Sequence, residues 1–201
     1  MQDSFSEGQV QQWIAGSLAG DQADFGELVR TYQNAVYNLC YRMLGERTEA
    51  EDAAQEAFLR AYSHLDRYEP GRSFKTWLLS IASNHCIDRL RKRRLTWLSL
   101  DEALPPSAAL HGEAVEPEDA VIEQERSDAV QAMLAELPPD HRVAVVLRYW
   151  YDLSYIEIAE MLGTTESAIK SRLFRARQTL ADKLATPKSQ AALRLAWESA
   201  R

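Results

Sequence analysis

Apolar side chains recur along this chain at intervals of three and four, the spacing that lines one face of an α-helix. Phe25, Leu28, Val29, Tyr32, Val36, Leu39 and Met43 predict a long amphipathic helix that ends near Gly45. Thr48-Glu49-Ala50-Glu51 has the form of a capping box, in which two side chains satisfy two orphan amides. It opens a second helix that buries Ala53, Ala54, Ala57, Phe58, Ala61, Tyr62 and Leu65. Pro70-Gly71 breaks the chain in a loop. A third helix starts near Ser73 or Phe74, buries Phe74, Trp77, Leu78, Ile81 and Ala82, and runs on to Arg94. Residues 95–117 lose the period and gain proline and acid, a linker composition with short ordered pieces at Trp97-Leu98. Helical spacing resumes around Glu118 and stops at Pro138-Pro139, after which Asp140 opens a helix through Tyr151. No stretch alternates as a strand would. The expected fold class is all-α: two small helical domains joined by a flexible acidic linker.

The pattern is sharpest from Ser154 to Leu184, which reads as helix, tight turn, helix. Ser154 can cap the first helix and Thr164 or Thr165 the second, because a side-chain oxygen there accepts an orphan backbone N–H. Gly163 supplies the permissive backbone between them. Ile169, Leu173, Ala176, Leu180 and Leu184 form the buried stripe of the second helix, and Ser167, Lys170, Ser171, Phe174, Arg175 and Gln178 the other face. Such a helix can lie in a DNA major groove. A basic outer face also suits an ordinary surface helix. Phe174 argues for contact, since it sits roughly 140° from Ile169 at about 100° per residue. Between Lys170 and Arg175 it suits a thymine methyl, a sugar or a neighbouring protein.

Charge changes the picture through its distribution. The 201 residues carry a net −7 and are 46% hydrophobic, the fraction of a globular chain. Residues 24–94 hold twelve basic and ten acidic side chains, residues 127–201 ten and nine, and residues 95–126 one and eight. The acidity thus sits mainly between two weakly basic units, and the linker should repel the phosphates that their basic faces attract. No apolar run reaches the roughly 20 residues that span a bilayer. The opening MQDSFSEGQVQQWIAG lacks the basic start and apolar core of a signal peptide, so a cytoplasmic protein with no membrane insertion is expected. Cys40 and Cys86 fit a reducing compartment and core filling. Neither belongs to a metal-ligand cluster, and no cofactor is expected.

The third helix ends in Arg89-Leu90-Arg91-Lys92-Arg93-Arg94, five basic residues in six. One or two would complement the helix macrodipole; five point to nucleic acid. Asn84, Asp88 and Arg91 share one face upstream, where Asn can read a base, Arg can neutralise phosphate, and Asp88 can hold Arg91 or Lys92. Trp77 reads as core. The loop Asp66–Arg72, with Tyr68, two arginines and a flexible turn, is a better place to receive a base. On the second helix Asp52, Gln55, Glu56 and Leu59 share a face opposite the alanines. An acidic face is often merely solvated; Leu59 among the acids favours a protein-binding face that meets a basic partner. Enzyme signatures are missing: there is no GxxxxGK[ST], GxSxG or HExxH, and His64, His85, His111 and His141 are scattered.

Three segments, AEDAAQEAFLRAY, FKTWLLSIASNHCIDRLRKRR and YIEIAEMLGTTESAIKSRLFRARQTL, resemble motifs of the bacterial RNA polymerase sigma factors of the extracytoplasmic-function (ECF) class, group IV of the sigma-70 superfamily. They stand in the family's order, joined by an acidic linker. The resemblance implies an N-terminal extension at 1–21, a sigma-2-like domain at 22–94, the linker at 95–126, a sigma-4-like helix-turn-helix domain at 127–185 and a tail at 186–201. It also implies roles. Asp52, Gln55, Glu56 and Leu59 match the helix that docks on the β′ clamp helices of core RNA polymerase, with the β flap as a second contact. Tyr68 and Arg72 lie in the loop that captures a flipped base of the −10 element, and Asn84, Asp88, Arg91 and Arg94 on the helix that engages that element. Lys170, Ser171, Phe174 and Arg175 match positions that read the −35 element as duplex. The linker resembles the segment threaded through the polymerase cleft. Promoter DNA is the other partner, an anti-sigma factor often holds such proteins, and catalysis belongs to the polymerase. The rivals are a helix-turn-helix regulator acting on duplex DNA alone and a non-initiating sigma-like interaction protein.

Overall fold

A computed structural model describes the backbone of residues 6–99 and 118–184, and the side chains of 6–94 and 127–183. Among the described residues the regular elements are helical: α1 Glu7–Leu18, α2 Gln22–Leu44, α3 Arg47–Ser63, a 3-10 turn Leu65–Arg67, α4 Phe74–Ser99, α5 Glu118–Ala135, α6 Pro139–Trp150, α7 Tyr155–Met161 and α8 Glu166–Leu184. The tail 186–201 and the linker core 100–117 lie outside the described residues.

The first module is built around α2, whose Leu28, Val36, Leu39, Cys40 and Met43 are fully enclosed. The alanine stripe of α3 lets its backbone come close to α2, and α4 closes the bundle with Phe74, Leu78, Leu79, Ala82 and Cys86. The segment 7–18 is part of this core. It is capped by Ser6 and buries Val10, Trp13, Ile14 and Ser17 as α1, which packs on α2 and the 3-10 turn.

Caps explain the boundaries. α2 ends at Gly45, which adopts φ 81°, the left-handed region that glycine occupies without a Cβ clash. That leaves one extended residue, Glu46, before α3, and its carboxylate accepts from Thr48 N at 2.9 Å and Glu49 N at 2.7 Å. The capping box expected at Thr48–Glu51 is therefore replaced by a Glu46 cap, and α3 starts at Arg47. Ser154 and Glu157 do form a reciprocal box at α7, with bonds of 3.2 and 2.8 Å. Thr165, rather than Thr164, caps α8 through Ala168 N at 3.2 Å. Gly163 makes the intervening turn at φ 59°. Helix also enters the expected linker from both sides, to Ser99 in α4 and from Glu118 in α5.

The two modules pack on each other. Six consecutive α6 residues, Arg142 to Leu147, are buried, more than one helix face provides. α6 is enclosed because it meets α8 on one side and α2 and α4 on the other. Arg142 is at the centre. Its guanidinium donates to Met43 O at 2.5 Å, Ala135 O at 2.9 Å and Leu137 O at 3.3 Å. It thus caps the C-terminal ends of α2 and α5 together, where carbonyls lack helical partners. Burial lowers its pKa, with Arg93 as the second cause. Gln131 donates to Tyr41 O at 3.2 Å, and Tyr151 to Ala35 O at 2.5 Å. Arg42 lies 4.9 Å from the Trp150 ring centre, a cation–π contact.

Candidate nucleic-acid and polymerase interfaces

The face of α3 opposite the alanines is open. Asp52, Gln55 and Leu59 are exposed, and Leu59 is 63% accessible. Glu56 is half-buried and pairs with Arg60 at 2.7 Å. That hydrogen bond lowers the Glu56 pKa, with Arg60's charge the next cause. The patch therefore offers an exposed apolar side chain on a face that also carries Asp52 and Glu56, chemistry that suits a basic, partly apolar partner surface.

α4 carries the second group. Asn84, Asp88, Arg91 and Arg94 all reach solvent. Arg91 donates to both carboxylate oxygens of Asp140, at 2.9 and 3.1 Å, so its partner comes from α6 in the other module. Arg93 pairs with Glu49 of α3. Ahead of α4, Arg72 is exposed and loosely paired with Glu69 at 3.5 Å. Tyr68 faces inward. It is only 6% accessible, and its ring packs on Phe74 and Trp77 at 5.5 Å between centres. Sequence reasoning placed this aromatic where it could receive a base; the structure places it under the loop. Trp77 belongs to the same cluster, as expected of a core residue.

On α8, Ile169, Leu173 and Ala176 are buried against α6 and α7, as the spacing predicts. Lys170, Ser171, Phe174 and Arg175 all point outward. Phe174 is 56% accessible, a large apolar ring held in water. Lys170 pairs with Glu166 one turn earlier at 2.7 Å, and Arg172 stands 3.9 Å from Asp140. The helix presents cations, a hydroxyl and an apolar ring on one face, the donor and contact set that a major groove takes.

Both modules are matched by known families. Residues 28–96 match Sigma-70 region 2 and residues 127–180 match Sigma-70 region 4. The "ECF RNA polymerase sigma factor SigW" of Bacillus subtilis (strain 168) is 41% identical over 170 residues, 82% of this chain and 91% of the relative. The chain belongs to the ECF RNA polymerase sigma factors. The "ECF RNA polymerase sigma-E factor" of Escherichia coli (strain K12) is 34% identical over 171 residues, 82% of this chain and 88% of that one. Two solved structures resemble this sigma factor over both modules, each at a TM-score of 0.62. CnrH, solved with the cytosolic domain of CnrY, is 26% identical and matches 88% of this chain and 97% of its own. RpoE of Bartonella quintana, solved with the anti-sigma factor NepR, is 27% identical and matches 82% and 98%. As a sigma factor, the chain serves promoter-directed initiation of transcription. Its relatives are initiation factors rather than enzymes. Among the described residues no helix is long and apolar enough to cross a membrane, and no group of metal-ligating side chains occurs. The family regions begin at residue 28, so α1 itself stands outside them.

Proposed function

We propose that each of the three faces has a separate task in initiation. The α3 face, Asp52, Gln55, Glu56 and Leu59, docks on the β′ clamp helices of core RNA polymerase, and the second module meets the β flap. The outward face of α8, Lys170, Ser171, Phe174 and Arg175, reads the −35 element as duplex. The loop bearing Arg72, with Asn84, Asp88, Arg91 and Arg94 of α4, holds the melted −10 element. Tyr68 serves that loop from below. Catalysis stays with the polymerase, and the cytoplasm is where both meet. Because RpoE was solved with an anti-sigma factor, a factor of that kind is also proposed to hold this chain.

The observation that carries this reading is Phe174, exposed between Lys170 and Arg175 on a helix whose opposite side is buried. Keeping that ring in water costs free energy unless a partner covers it. The test is run-off transcription with core polymerase and a promoter library. Enrichment of paired −10 and −35 elements is expected. A chain that supports no initiation with any library member refutes the reading.

A further inference from the structure

The loop before α4 owes its shape to a residue it hides and to a helix outside the family regions. Glu69, Pro70, Gly71 and Arg72 form a tight turn closed by Arg72 N to Glu69 O at 3.3 Å. Gly71 sits at φ 106°, a conformation other residues avoid. The exposed Glu69–Arg72 ion pair at 3.5 Å adds little. The firm tie comes from beneath. The Tyr68 hydroxyl donates to Arg72 O and accepts from Gln11 Nε2 at 3.0 Å. Its ring is clamped by Phe74 and Trp77. Gln11 is fixed in its turn, because Val10, Trp13 and Ile14 anchor α1 in the core. The chain Gln11–Tyr68–Arg72 O therefore joins α1, the buried aromatic cluster and the exposed turn, and both capacities of the phenol are used.

We propose that Gln11 and Tyr68 are positioning residues for the −10 element: they hold the Glu69–Arg72 turn in the shape that receives an unpaired base, without touching it. The inference rests on the reading of this loop as the −10 capture site. It makes α1 part of the promoter-reading unit. A base entering the turn meets backbone already ordered, so less conformational entropy is lost on binding.

The test uses holoenzyme assembled from core polymerase and the full chain. The probe is a fluorescent non-template single strand covering the −10 element of a promoter that this holoenzyme transcribes, beside its scrambled counterpart. Tyr68→Phe keeps the ring and removes the hydroxyl; Gln11→Ala removes the other partner. Each should weaken binding of the −10 strand about 5- to 10-fold, one hydrogen bond's worth, and flatten preference at the captured base. The double variant should be no worse than the stronger single one, because both act through one chain of bonds. Binding of a −35 duplex and association with core polymerase should be unchanged. If wild type does not prefer the −10 strand over the scrambled one, the reading of the loop falls and this inference with it. If wild type does, but Tyr68→Phe binds with wild-type affinity and base preference, the inference alone is overturned. Equal losses on −10 strand and −35 duplex also overturn it, since they mark general destabilisation.

Discussion

Replacing Arg142 with methionine removes one bond between the two modules and two within the second, while keeping most of the side chain's apolar stem. Wild-type Arg142 gives three bonds to carbonyls that end α2 and α5. Hydrogen bonds to a charged donor contribute about 1.5–3 kcal/mol each. Two effects reduce the sum. The buried guanidinium has no carboxylate among these three partners, and releasing it recovers part of its desolvation cost. Some freed carbonyls also regain water. A net loss of about 2–4 kcal/mol is expected, or about 4–16 °C in melting temperature at 2–4 °C per kcal/mol for this chain length. Of the three, only the Met43 bond crosses between modules. Its loss, about 1.5–3 kcal/mol, shifts their association about 10- to 150-fold towards separation. Dyes placed by Ser63→Cys and Asp182→Cys, both exposed positions, report that separation as reduced energy transfer. Circular dichroism melting reports the stability. Unchanged transfer together with an unchanged melt would refute the role given to Arg142.

Arg175→Ala should weaken −35 duplex binding by about 1–3 kcal/mol; a footprint titration with wild-type affinity and base preference excludes the contact. Leu59→Asp should reduce association with core polymerase, because it puts a carboxylate where a partner's apolar surface is expected, and co-purification at wild-type level would contradict this. The pH dependence follows from His85 and His141. Burial is the first cause that lowers both pKa values, with Arg60 second for His85 and Arg175 second for His141. Below about pH 6.5 the unfolded chain then binds more protons than the folded one, so stability falls as pH drops through that value. His85→Gln with His141→Gln should flatten the slope of melting temperature between about pH 7 and 5; an undiminished slope assigns it elsewhere.

Local signals in the sequence were legible wherever one helix face decides the outcome. Ile169, Leu173 and Ala176 inward and Lys170, Phe174 and Arg175 outward on α8 follow from spacing alone, and Ser154 and Gly163 mark the start of α7 and the turn that follows it. Tertiary placement was harder. Val10, Trp13 and Ile14 carry the same i, i+3, i+4 signal, yet only the packing of α1 on α2 shows that the segment belongs to the core. Tyr68 has the composition of a base platform, and nothing local reveals that its hydroxyl is already spent. The unbroken run Val143 to Leu147 was the one trace of a helix covered on several sides. Arg142 beside it reads as an ordinary surface cation until Met43 O is brought within reach across 99 residues.

That contact sets a geometric limit on function. A unit of about 75 residues has a radius of gyration near 11 Å, so two in contact extend about 60 Å from end to end. The centres of a −35 and a −10 element lie about 25 base pairs apart, roughly 85 Å at 3.4 Å per step. If α8 reads the −35 element and the α4 loop holds the −10 element, as proposed, the two cannot reach one promoter together while α6 is seated on α2. On that proposal, separation is a step that initiation is expected to require. It must break Arg142–Met43, Tyr151–Ala35 and Gln131–Tyr41 and free Arg91 from Asp140. DNA alone offers weak compensation, since the linker's charge opposes its approach. On the proposed docking, polymerase binds α3 and the second module at separate points and would supply it through differential affinity for the open form. A variant that opens more easily, such as Arg142→Met, should then need less polymerase to reach half-maximal initiation, provided its fold survives the assay temperature. Initiation that demands the same or more polymerase from a folded Arg142→Met chain would show that the packed arrangement does not limit assembly.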